Sequence, residues 1–81
     1  MIGGDSELMT RVIVALLEDS QMSASRVAVS VKNGTIVLWG DVYSNTAHSI
    51  AEQIARRQRG VAAVINNLRI LSPERARPLA L

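Results

Sequence analysis

The sequence contains no cysteine and no phenylalanine, and only one Trp, one Tyr and two Pro. Without cysteine there can be no disulfide framework, no thiolate metal site and no thiol nucleophile, and cysteine usage says nothing about the redox compartment. The scarcity of rings leaves Val, Ile, Leu and Ala to build the core, so Trp39 and Tyr43 stand out. No apolar run approaches the ~18 residues of a spanning helix, and Met-Ile-Gly-Gly-Asp-Ser-Glu at the start has neither a basic n-region nor an apolar h-region. As written, the sequence reads as soluble and without an export signal, and a chain complete in this form is expected in the cytoplasm.

Catalysis is excluded by a similar shortage. There is one histidine and there are seven acidic residues, and the pattern places no two of them as nucleophile and base. His48 lies off the apolar stripe of its helix with no second ligand at hand, so it is read as a solvated side chain. No cofactor is expected. Gly34 and Gly40 stand outside any Gly-rich run opening a helix, which excludes a phosphate loop. With Trp39 and Tyr43 as the sole stacking rings, and no Gly-x-x-Gly loop of the KH type, nucleic acid is a disfavoured partner.

What is present is enough for one domain. Hydrophobic residues make up 48% of the 81 and charged ones 20%, a globular balance that fits a single core and has no room for a second. The net charge of +2 is unevenly spread: residues 1–41 hold three basic and five acidic groups, residues 42–81 six basic and two acidic. Eight of the nine basic residues are Arg, which suits planar phosphate or carboxylate partners.

Asp5 or Ser6 as N-cap, Glu7 in the first turn, and Leu8, Val12, Ala15 and Leu16 at helical spacing predict a helix from about Asp5 to Asp19. A polar connector follows over 21–25. From Arg26 to Val42 the period becomes two around Asn33-Gly34, the strongest short hairpin signal, because a type I′ turn needs positive φ at both central positions. Counting outward from Lys32 and Thr35 places Val27, Val29, Val31, Ile36, Leu38 and Gly40 on the core face. Ala28, Ser30, Lys32, Thr35, Val37 and Trp39 fall on the opposite face. Ser44, Asn45 or Thr46 caps a second helix with the stripe Ala47, Ile50, Ala51 and Ile54, and Gly60 is the expected C′ stop. Val64, Leu68 and Ile70 alternate with Ile65, Asn67 and Arg69 in a third strand. The helical crossover permits it to run parallel beside the second. Ser72-Pro73-Glu74 could open a short helical turn before an aperiodic tail.

The series Val27-x-Val29-x-Val31-x-Asn33-Gly34-x-Ile36-x-Leu38-x-Gly40-x-Val42, then Gly60-Val61-x-x-Val64-x-Asn66-x-Leu68-x-Ile70, resembles the BON domain, the bacterial osmotic-stress and nodulation module. The resemblance implies an α+β fold, a single small domain in α-β-β-α-β order whose three-stranded mixed sheet has two helices on one face. It also implies a non-enzymatic module that binds phospholipid surfaces or other proteins, located in the periplasm or cell envelope. The division expected is a flexible 1–4, a domain over 5–71 and a mobile tail over 72–81. Taken as written, the sequence is expected to depart from the usual pattern in carrying one copy and no signal peptide, and Trp39 stands where a small or polar residue is common.

Two groups of residues are candidates for binding. Arg56, Arg57 and Arg59 at the end of the second helix suit acidic lipid headgroups, or else complement the helix dipole. Val37, Trp39 and Ile65 on the far face of the sheet suit a contact surface, or else lie under the tail or a neighbouring domain. The function expected is an envelope-associated adaptor contacting an anionic membrane surface or another protein. The alternative is a regulatory or oligomerisation module of a larger cytosolic protein.

Overall fold

A computed structural model describes residues 4–22 and 25–71 of the chain. Helix α1 (Gly4–Glu18) leads through a 3-10 turn at Ser20–Met22 to strands β1 (Arg26–Lys32) and β2 (Thr35–Val42), helix α2 (Asn45–Arg56) and strand β3 (Ala63–Ile70). The sheet order is β1-β2-β3, with β1 antiparallel and β3 parallel to the central β2. This is the expected α-β-β-α-β order and mixed sheet. The expected mobile tail and the helical turn at Ser72-Pro73-Glu74 lie outside the described residues, as does the flexible start apart from Gly4, which opens α1.

The hairpin forms as its turn residues dictate. Asn33 and Gly34 both hold positive φ, 51° and 78°, and Lys32 pairs with Thr35. The pairing therefore stays in the counted register, with Val31 against Ile36 and Val29 against Leu38. Ile36, Leu38 and Val42 of β2 are fully buried together with Val12 of α1. They meet Leu8 and Leu16 of α1, Ala47, Ala51, Ile54 and Ala55 of α2, and Leu68 of β3 in one core. Both helices thus cover the same face of the sheet.

Three local expectations are corrected. Asp5 does not cap α1: its carboxylate accepts the backbone N–H groups of Asn33 (2.9 Å) and Gly34 (3.2 Å), binding the start of the helix to the hairpin turn. A charged acceptor reaching two adjacent turn amides outcompetes the helix's own solvated N–H groups. The connector is not merely polar, because Met22 at its 3-10 turn is buried in the core. Gly60 is not the C′ residue of α2, which ends at Arg56 with Arg57 as C-cap. The last carbonyls are already satisfied there, by the Arg57 N–H on Gln53, and by the backbone and side-chain amides of Gln58 on Ala55 and Ile54. Gly60 instead turns the chain at φ 93° toward β3.

Candidate functional site

The register of the three strands lays out the uncovered face of the sheet as rows. Ser30, Val37 and Ile65 lie side by side, and the next row holds Ala28, Trp39 and Asn67. Alternation in each strand sends these side chains away from the helices. Trp39 is 44% exposed and Ile65 47%, with Val37 half-buried between them. The structure therefore brings Val37, Trp39 and Ile65 together as one apolar patch, and no described element covers it.

Charge frames that patch. The row beyond Trp39 is Arg26, Asp41 and Arg69, and the row beyond Val37 is Lys32, Thr35 and Ala63. The Arg69 guanidinium donates to the Asp41 carboxylate at 3.3 Å through both Nε and Nη2. Three cations and one acid therefore border the patch, and the acid already faces one of the cations. Lys32 and Arg69 belong to this frame, and in the sequence only the alternation with β2 could have marked them.

The cations at the end of α2 are arranged differently. Arg56 is ion-paired with Glu52 one turn earlier, Nη2 to Oε2 at 3.0 Å. Arg59 offers its backbone carbonyl to the Arg11 guanidinium at 2.7 Å, which brings a fourth arginine to this end. Arg11 and Arg59 share a shallow depression with Asp5 and Glu7. Arg57 is exposed at the C-cap. The three arginines of the sequence motif thus do not form one unopposed cluster: acids from α1 and α2 sit among them.

Asn66 explains one distinctive residue of the motif. It falls on the helix side of β3, where its Nδ2 donates to the His48 carbonyl (3.0 Å) and to Glu52 Oε1 (3.3 Å), while its Oδ1 accepts from the Leu68 N–H (3.2 Å). One amide thereby fastens α2 to the edge strand. Hydrogen bonds from the side chains of Arg56 and then Asn66 hold the Glu52 carboxyl below its ordinary value. His48 contributes its backbone to this network, and among the described residues no group of three His, Asp or Glu side chains is placed to hold a metal ion.

No helix among the described residues is long and apolar enough to cross a membrane. None of the curated proteins matches the chain. The family model described as the BON domain matches residues 4–72, from the first residue of α1 to just beyond β3. BON domains are non-catalytic binding modules associated with phospholipid and the cell envelope. On this match, spanning every element of the fold, the chain belongs to the BON domain family.

Proposed function

We propose that this chain is a non-enzymatic module of the cell envelope that contacts an anionic phospholipid surface through the open face of its sheet. The observation that carries this reading is the patch of Val37, Trp39 and Ile65, exposed between Arg26 and Arg69 at one end and Lys32 at the other. A Trp ring beside aliphatic side chains suits the boundary between headgroup and acyl chain, where one edge is apolar and the other wet. Each basic residue near an anionic leaflet adds about 1 kcal/mol, so the cations alone give weak attachment and the apolar patch must supply the rest. Arg57 and Arg59 are a second, separate candidate for headgroup contact, and Arg56 is a lesser one while Glu52 holds it.

Trp39 reports on the proposed face directly, being the only tryptophan. Its emission should shift to shorter wavelength on vesicles containing an acidic headgroup and stay unchanged on neutral ones. The shift should weaken as salt shortens the Debye length from about 10 Å at 0.1 M to 3 Å at 1 M. Arg26→Gln with Lys32→Gln should weaken binding more than Arg56→Gln, Arg57→Gln and Arg59→Gln together. The opposite order would move the lipid contact to the end of α2. No response to either vesicle, with the patch still exposed, would favour a protein partner on this face.

A further inference from the structure

The outer side of α1 is as unusual as the open sheet face. Residues 12–17 read Val-Ile-Val-Ala-Leu-Leu, apolar around the whole helix, whereas a surface helix keeps its apolar residues to one stripe. Val12 and Leu16 face the core. Val14 is 44% exposed and Leu17 77%, and at 100° per residue they lie with Thr10 along the line opposite the buried one. Arg11 and Glu18, both exposed, run beside this line two turns apart, about 10.5 Å along the axis, and exposed Glu7 precedes Arg11 by one turn on the same side. Among the described residues neither Arg11 nor Glu18 is in an ion pair with another side chain, and Arg11 donates only to the Arg59 carbonyl.

An apolar centre with a base toward one end and an acid toward the other is self-complementary under a two-fold axis. We infer that the outer face of α1 is an interface for a second copy of this chain. The two α1 helices pack antiparallel, Val14 of each against Leu17 of the other, and Arg11 of each opposite Glu18 of its partner. The charge pattern decides the occupant. A cationic or an anionic partner of single sign would satisfy Glu18 or Arg11 but oppose the other. Likewise, an anionic lipid surface would attract Arg11 and repel Glu18. The antiparallel copy satisfies both residues twice and, centred between them, leaves Glu7 beyond the overlap of the two helices.

Sedimentation equilibrium of the whole chain from micromolar to millimolar concentration tests the pairing. A monomer–dimer equilibrium is expected. Glu18→Arg should weaken it at least roughly tenfold, since like charges then face each other at both ends, and Leu17→Glu should abolish it. Arg11→Glu combined with Glu18→Arg should restore dimerisation. That rescue distinguishes a facing charge pair from general damage, and melting curves of each variant verify the fold. On dilution of the wild type, backbone amide shifts should change at positions 10–18 and nowhere on the open sheet face. A chain monomeric throughout this range would overturn the inference. So would a dimer indifferent to Glu18→Arg, or a monomer whose α1 amides respond to anionic vesicles. The result stands apart from lipid binding by the sheet, which the Trp39 emission measures separately.

Discussion

Gly40 is the residue whose role is narrowest. It holds φ at 122°, and a Cβ there would collide with the Arg26 carbonyl of the neighbouring strand. That oxygen belongs to the backbone and cannot swing aside, so the sheet itself would have to yield. Gly60 shares the positive φ, 93°, but a Cβ there meets nothing within 4 Å. Gly40→Ala should therefore destabilise the fold by more than ~2 kcal/mol, against about 1 kcal/mol for Gly60→Ala, where only the left-handed backbone is strained. Denaturant midpoints of the two variants provide the check, and equal losses would rule out the close approach as the reason for glycine at 40. Asp5 calls for a different substitution. Asp5→Ala leaves two amides of the hairpin turn without their charged acceptor and should cost about 1–2 kcal/mol, although it lies 28 residues from Asn33.

Elements were legible in the sequence to the degree that their signals are local. The hairpin follows from Asn33-Gly34 and alternation alone, so its register and its two faces could be counted outward from the turn. The patch of Val37, Trp39 and Ile65 was within reach for the same reason, once β3 was placed parallel to β2. The helix ends were less legible, because they depend on partners that arrive from elsewhere. Asp5 has the chemistry of an N-cap and is taken by the turn, and Gly60 has that of a C′ residue, but Gln58, two residues earlier, already closes the helix end. The surroundings of the arginines were hidden too: spacing shows Glu52 one turn before Arg56, but not Arg11 arriving from α1. At this scale Asn66 is the joint to test. Asn66→Ala strips the fastening between α2 and β3 and should lower stability by about 1–3 kcal/mol. Hydrogen exchange should quicken in β3 more than in the hairpin.

At the scale of the molecule, acid should act on stability through the joint between α2 and β3. The Glu52 carboxyl there is held below an ordinary 4.5 by the side chains of Arg56 and then Asn66. A lowered folded-state pKa means that the bonds to the ionised carboxylate contribute fully above the unfolded value and are lost as pH falls through the folded one. Glu52→Gln should therefore cost a few tenths of a kcal/mol at neutral pH, the scale of an exposed i,i+4 pair. Wild type and variant should converge in melting temperature as pH falls from 4.5 through the lowered folded-state value. The open sheet and the outer side of α1 are opposite surfaces of one two-layer body. A dimer through α1 would hold its two sheet faces pointing apart, and such a dimer clusters anionic vesicles where Glu18→Arg binds them without clustering. Turbidity separates the two.

The parallel pairing of β3 with β2 also orders events in time. Lys32 meets Thr35 across a two-residue turn, whereas Arg69 reaches Asp41 across 28 residues of chain that include the whole of α2. Closing the longer loop costs more entropy before any pairing offsets it, so the hairpin should assemble early and the edge strand dock late. Substitutions at Leu68 should then act mainly on the unfolding rate, and those at Val31 or Ile36 on the folding rate. Until β3 arrives, the outer edge of β2 is unpaired and its Leu38 and Ile36 only partly covered. A chain emerging from synthesis with residues 63–70 still to come would thus expose the strand most able to recruit a foreign one.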